Sequence, residues 1–388
     1  MELASKTKCT GCMACMEKCP GNCISITPDH MGNYYPYINE ADCLNCGVCQ
    51  KTCPELTMLS AVKPSEAYAA WSLDSNDRKS STSGGAASVF YRHALDMGYW
   101  IAGAKYTKDF HVTHIVSDKI SAVNGFKQSK YVCSEMGSVY QKSKELLSAG
   151  ETVLFISLPC KIAGLLGYLG QKYDNLITVD IVCHGTPPYQ NLKEHIDCVK
   201  KNIPTVLKFR QDNECIFQLS DDNDQILYSK AGRTDPYLAA FLEGINYRES
   251  CYHCSYARPE RISDITICDF WGLGQEIPFD HPYFGSISAV LINTDKGKAF
   301  FKGCQAQLFT EQRPIDEAIK GNAQLNHPSP YPSQRSEFEK MYQECGFDKA
   351  VASCLSNVMN QEEKKIKKKQ MRDMLRKLAG VFIKRYRR

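Results

Sequence analysis

CTGCMACMEKCP at residues 9–20 returns as CLNCGVCQKTCP at residues 43–54, an offset of 34 residues. Each copy reads C-x2-C-x2-C-x3-C-P. Spacing this tight lets three thiolates wrap one face of a 4Fe-4S cube while the fourth reaches the neighbouring cube. The expected ligand sets are Cys9, Cys12, Cys15 and Cys53 for one cluster, and Cys43, Cys46, Cys49 and Cys19 for the other. Pro20 and Pro54 turn the chain after each fourth ligand, and Gly11 and Gly47 leave room for close backbone approach. Paired zinc knuckles are the competing reading, but a four-ligand zinc site gives no reason for this motif to occur twice. Cys23 stands outside the repeat and reads as a packed thiol. Between the copies, residues 23–26 and 33–39 read as short strands, which suits a compact ferredoxin-like α+β module over residues 1–58. Two clusters held so close exchange single electrons quickly, so the module conducts and does not host the final chemistry.

The rest of the composition agrees with a redox protein in a reducing compartment. A chain of 388 residues exceeds one ordinary domain, so a small module plus a larger body is expected. Its hydrophobic fraction of 43% and charged fraction of 23% are those of a globular protein. No stretch approaches the roughly 18 apolar residues of a membrane span. The opening MELASKTKC has neither an apolar h-region nor a cleavage site, so the expected location is cytoplasmic, where twenty cysteines argue for metal or redox chemistry over disulfides. Charge is concentrated at one end. Residues 364–388 carry twelve basic residues and one acid, a net +11 in a chain whose total is +4. A basic groove for nucleic acid is therefore not expected. Residues 360–388 instead read as a basic amphipathic helix with Met371, Met374, Leu375, Leu378, Val381 and Phe382 on one face. Such a helix could lie peripherally on the anionic inner face of a membrane, or stay solvated.

From residue 67 to about 345 the pattern alternates strand and helix, an α/β order. Strands are expected at residues 68–73, 99–105, 112–116, 152–157, 176–183, 206–210, 264–270 and 287–293. Helices are expected after Gly85, near residues 134–148, from Cys160, and near residues 236–243 and 296–308, with residues 56–66 as the linker.

Six segments of this body occur in a recognisable order: SSTSGG (80–85), SKYVCSEMG (129–137), LPCKIAGL (158–165), DIVCHGTP (180–187), SCYHCSYA (250–257) and SDITICDFWG (263–272). Together they resemble the beta subunit of the deazaflavin-coenzyme-reducing hydrogenases and dehydrogenases over residues 67–293. The resemblance implies a flavin, usually FAD, that exchanges electrons with iron–sulfur clusters. It leaves the acceptor open, because relatives differ in what they reduce and many bacterial ones lie in polysaccharide gene neighbourhoods. Two positions depart from the family pattern: Cys133 stands where glutamine is usual and Cys268 where glycine is usual.

Several residues support the resemblance on physical grounds. Ser81, Thr82, Ser83, Gly84 and Gly85 precede an apolar helix, where backbone N–H groups and the helix dipole suit a flavin pyrophosphate. A serine-rich N-cap explains the same residues. Lys130 could add a cation for phosphate or reduced flavin, or be an ordinary surface lysine. Cys160, Cys183, Cys251 and Cys254 could ligate a third 4Fe-4S cluster between the ferredoxin module and the flavin, or be buried structural thiols. His184 could supply a proton in a flavin site, or cap the fold. Asp264, Asp269 and Trp271 are expected to shape the last strand. The expected function is an iron–sulfur flavoprotein oxidoreductase between a ferredoxin-type or other redox protein and a small organic acceptor. The alternative is a non-catalytic electron-transfer subunit of a larger redox complex.

Overall fold

The computed structural model describes residues 2–211 and 214–385, with side chains described as far as Leu375, Asp373 excepted. The repeat folds as α1 (Ala14–Glu17), β1 (Ile24–Pro28), β2 (Tyr34–Ile38) and α2 (Val48–Thr52). β1 and β2 pair antiparallel with Ile24 opposite Ile38. Both short helices start from a left-handed residue at the same point of the repeat, Met13 (φ 63°) and Gly47 (φ 71°). The second copy uses glycine where that conformation favours it, while the first holds a methionine there.

The body follows as β3 (Glu66–Ser72), α3 (Ser75–Ser80), α4 (Ala86–Asp96), β4 (Trp100–Tyr106), β5 (Val112–Ser117), α5 (Ser121–Phe126), β6 (Ser134–Glu135), α6 (Val139–Ser148), β7 (Val153–Ser157), α7 (Pro159–Leu169) and β8 (Leu176–Ile181). Then come α8 (Tyr189–Val199), β9 (Val206–Gln211), β10 (Glu214–Ser220), β11 (Ile226–Ala231), α9 (Pro236–Leu242), β12 (Ile265–Asp269), β13 (Ser288–Ile292), α10 (Asp295–Cys304), β14 (Leu308–Arg313), α11 (Ile315–Gly321), α12 (Arg335–Cys345) and α13 (Phe347–Arg385). Among the described residues nine strands form one sheet in the order β14-β3-β13-β12-β8-β7-β4-β5-β6. Its centre, β12-β8-β7-β4, is parallel. The flanking β13, β3, β14 and β5 run antiparallel to their inner neighbours. All of β7 is buried, as a parallel strand covered on both faces requires. The α/β expectation therefore holds, as a mixed sheet.

α7 is the element on which the ferredoxin repeat docks. A Cβ on Gly164 would stand 2.8 Å from Cys12 Cβ, and one on Gly167 would stand 2.2 Å from the Thr52 carbonyl oxygen. Two glycines one turn apart thus let the cysteine loops lie directly on the helix. Lys18 Nζ donates to the Tyr168 carbonyl at 2.8 Å, and Cys12 and Ala14 share a core with Phe155, Ile162 and Leu165.

A second core joins the antiparallel sheet β9-β10-β11 to α8, α9, α12 and the start of α13. Buried in it, His195 bonds Asp235 Oδ2 at 3.0 Å and Asp348 Oδ1 at 2.7 Å. Burial opposes the charged ring, but the hydrogen bonds to the two carboxylates outweigh it and push its pKa up to about 9. A raised folded pKa contributes stability that is full below the unfolded value and is lost as pH rises through the folded one. The unfolding free energy should therefore fall between about pH 6.5 and 9, by an amount on the order of 2 kcal/mol, with the denaturant midpoint following it. Substituting His195→Gln should lower stability at pH 6 and flatten that slope relative to the unsubstituted chain. A slope unchanged by the substitution would contradict the assignment.

Most expected strands and helices appear near their expected bounds. The helix expected near residues 134–148 begins only at Val139, because Ser134–Glu135 pairs with β5 as a strand. The helix expected near residues 296–308 stops at Cys304, and Leu308 opens an edge strand against β3. β10, β11 and β14 had no counterpart in the sequence reading. The basic tail is helical to Arg385, but as the end of a 39-residue helix that starts at Phe347. Met371, Met374 and Leu375 are exposed, while the side chains of Leu378, Val381 and Phe382 lie outside the described residues. Among the described residues no helix is long and apolar enough to cross a membrane.

Candidate redox site

The eight cysteines of the repeat divide between two small cavities. Cys9, Cys12, Cys15 and Cys53 line one, with Thr10, Met13 and Pro54. Cys19, Cys43, Cys46 and Cys49 line the other, with Ile24 and Ile38 from the two strands. The two quartets are those the C-x3-C-P swap predicts. Cys15 and Cys49 share one small core, so the cavities adjoin. Cys23 is buried in the wall of the second cavity with its Sγ 3.4 Å from Cys19 Sγ, so this packed thiol sits beside the quartet.

The four body cysteines also meet. Cys160 opens α7 after β7, Cys183 follows β8, and Cys251 and Cys254 lie in the turn after α9. All four line a third cavity with Thr10, His184, Thr186, Tyr256 and Arg261. Burial pushes every one of these thiols above the usual range, Cys254 to about 11. A cluster or metal ion held here would take the four thiols as thiolates, its positive charge offsetting the burial that raises them. Among the described residues no three His, Cys, Asp or Glu side chains close on a single ion. The thiols surround a space, which is how ligands at the corners of a cube stand.

A fourth, larger cavity of about 320 Å³ lies beside the carboxyl ends of β7, β8 and β12. Open α/β sheets commonly bind ligands at that edge. Ser81, Thr82, Ser83 and Gly85 form part of its wall, followed by the first turn of α4. The N-cap of α4 is Gly85 (φ 85°), with no side-chain cap. The serines are otherwise engaged: Ser81 Oγ donates to the Asp77 carbonyl at 2.8 Å, and Ser83 Oγ bonds Ser288 Oγ at 3.2 Å. The serine-rich N-cap is thereby ruled out. Gly84 does not face the cavity; its Cβ would stand 2.2 Å from the Ala70 carbonyl oxygen, so it lets the loop lie on β3.

Lys130 lines the cavity but its ammonium donates to the carbonyls of Phe126, Lys127 and Gln128 at 3.3, 2.8 and 3.3 Å. It closes a turn, and burial lowers its pKa to about 7. His184 borders both the third cavity and the large one, and among the described residues its ring has no hydrogen-bond partner. Burial lowers its pKa, partly offset by Asp269. The ring is thus held neutral, with one N–H and one lone pair available. Asp264 does shape the fold, accepting from Thr178 N at 2.8 Å and Thr178 Oγ1 at 2.9 Å. Asp269 and Trp271, expected to do the same, line the large cavity. So does Cys268, whereas Cys133 is absent from its lining; the Cys133 amide donates to the Pro187 carbonyl at 2.8 Å.

Two comparisons with known families fall on this geometry. The family described as the C terminus of the coenzyme F420 hydrogenase/dehydrogenase beta subunit matches residues 150–318, and the 4Fe-4S dicluster domain matches residues 8–56. Residues 8–56 are thus a 4Fe-4S dicluster domain by this match, and residues 150–318 match the C-terminal domain of the beta subunit. No curated protein matches it. A similar solved structure is the xenon-derivatised F420-reducing NiFe hydrogenase complex from Methanosarcina barkeri, with 16% identity over 67% of this chain and 90% of that one and a TM-score of 0.46. The beta-subunit domain contains all four cysteines of the third cavity, and the dicluster domain contains all eight of the repeat. The serine loop and Lys130 precede residue 150 and lie outside both matches.

The sequence reading missed Arg210 and His114 in the large cavity. Arg210 comes from β9 of the separate sheet and pairs with Asp269 at 2.6 Å. His114 bonds Ser157 Oγ at 2.8 Å, and burial drops its pKa to about 3. Neither sits in a recognisable motif; only the folding of β5 and β9 against the central strands brings them there.

Proposed function

We propose that this chain is an iron–sulfur flavoprotein oxidoreductase working between a ferredoxin-type donor and a small organic acceptor. One observation carries the reading: the cysteine cavities and the large cavity form a continuous series. Thr10 borders both the inner repeat cavity and the third one, and Val182, Cys183, His184, Gly185 and Thr186 border both the third and the large one. The repeat cysteines would hold two 4Fe-4S clusters, and Cys160, Cys183, Cys251 and Cys254 a third. Ser81, Thr82, Ser83, Gly85 and the uncapped N–H groups of α4 would hold the pyrophosphate of FAD. FAD, when bound, supplies the exchange between one-electron and two-electron transfer. His184 would hold a proton at the boundary between the last cysteine cavity and the acceptor's space. Arg210, Asp269 and Trp271 would orient the acceptor, for which polysaccharide biosynthesis is one setting.

Anaerobic FAD titration, read by flavin fluorescence quenching, tests this proposal. Thr82→Asp places a carboxylate at the phosphate wall and should weaken FAD binding at least ~10-fold, equivalent to about 1.4 kcal/mol, with iron content unchanged. Full clusters with no affinity for FAD or FMN would defeat the flavoprotein reading.

A second reading, an electron-transfer subunit serving a partner's active site, is favoured by Trp271, which lines the large cavity and is exposed. Recovery of a stoichiometric partner, with no turnover by the isolated chain, would select it. For the tail, membrane binding predicts that truncation after residue 360 abolishes co-sedimentation with anionic vesicles.

A further inference from the structure

Two cations from the body reach the loop that separates the inner repeat cavity from the third one. Lys161, next to Cys160, is buried and donates from Nζ to the Gly11 carbonyl at 2.7 Å. Arg248, three residues before Cys251, is also buried. Its Nε donates to the Cys9 carbonyl at 2.6 Å, Nη1 to the Tyr34 carbonyl at 2.9 Å, and Nη2 to Cys9 Sγ at 3.4 Å. Its guanidinium also lies over the Tyr35 ring, 4.0 Å from the centroid. Among the described residues neither cation has a carboxylate within ion-pair distance, in contrast to the buried Arg261, which pairs with Asp180 at 2.6 Å. A buried cation without a counter-ion is costly. The anionic groups within reach here are thiolates. At the outer repeat cavity, among the described hydrogen bonds, no lysine or arginine side chain donates to Cys19, Cys43 or Cys46.

We infer that Arg248 and Lys161 raise the reduction potential of the cluster held by Cys9, Cys12, Cys15 and Cys53 above that of its outer neighbour, so that the step toward the body is downhill. The inference rests on the reading that these four cysteines hold a cluster. Adding an electron makes the cluster more negative. A fixed positive charge in a low-dielectric setting, and an N–H donated to a ligand sulfur, both stabilise that form. Guanidinium suits the role because it does not deprotonate and bonds carbonyl and sulfur at once from one planar fork. Both residues are positioning residues, acting through the Cys9–Gly11 backbone and one ligand sulfur.

Anaerobic potentiometric titration of the full chain, followed by EPR, separates the alternatives. Arg248→Met should lower one cluster step by at least a tenfold change in its reduction equilibrium, about 59 mV for one electron, and narrow the gap between the repeat's two steps. Lys161→Met should move the same step in the same direction. Arg248→Lys, which keeps the charge and loses the sulfur contact, should move it less. Unchanged potentials in all three variants at full iron content would overturn the inference. Loss of iron from all three would also overturn it, by making the cations structural. A native chain without iron would instead defeat the cluster reading beneath it.

Discussion

Replacing Cys251 and Cys254 together by alanine is expected to lower iron from about twelve to about eight atoms per chain, and to stop a reduced low-potential donor from bleaching bound flavin. The two thiols stand in one turn and face Cys160 and Cys183 across the third cavity. Removing half the ligand set should empty that site and leave the eight repeat cysteines undisturbed. The ferredoxin clusters should still reduce with dithionite, so the defect would be one of transfer. The same substitution at Cys198, an exposed thiol on α8, should change neither quantity. Unchanged iron in the double variant would show the four body thiols to be structural, and the series of cavities would then have a gap.

The second large effect concerns the docking helix. Gly167→Leu should retain full iron yet slow electron passage from the repeat to the body, because tunnelling falls off exponentially as the inner repeat cavity moves away from the body cysteines. The physical cause is steric. A side chain at 167 must displace the Thr52 carbonyl, one residue before the ligand Cys53, and so push the inner repeat cavity away from α7. The backbone cannot yield as a flexible side chain would, so the module shifts as a unit. Overpacking of this kind typically costs about 1–3 kcal/mol of stability, which a denaturation midpoint would register separately. A transfer rate equal to that of the unsubstituted chain would show that the docking on α7 does not set the distance.

The repeat could be read from residues 9–54 because its ligands are local: eight thiols, two prolines and a fixed spacing specify both quartets without any long-range information. The parallel core strands were equally legible, since residues 153–157 and 176–181 are short apolar runs bounded by turn residues. β10, β11 and β14 were not. Their alternation is diluted by polar residues, mostly exposed or half-buried on β11 and β14 and buried as Gln218 and Ser220 on β10, and their pairing is a tertiary fact. The same limit applied to the site. Motifs named Cys160, Cys183, Cys251 and Cys254 but could not say that they share a cavity, which depends on α7, β8 and the turn after α9 converging. The motifs around Lys130 and Gly84 are ligand-like; in the fold the lysine donates to three carbonyls and the glycine lies against β3. The pairing of Arg210 with Asp269 is illegible for the opposite reason: an arginine and an aspartate on separate strands carry no signal until two sheets meet.

The proposed redox line runs from the repeat, past Thr10 and the four body cysteines, to the large cavity. Its most direct test is anaerobic stopped-flow mixing of the oxidised, FAD-loaded chain with reduced ferredoxin, watching cluster and flavin absorbance in the same shot. Bleaching of the clusters first and of the flavin afterwards, at a rate independent of protein concentration, is the predicted result. Clusters that reduce fully while the flavin stays oxidised would contradict it.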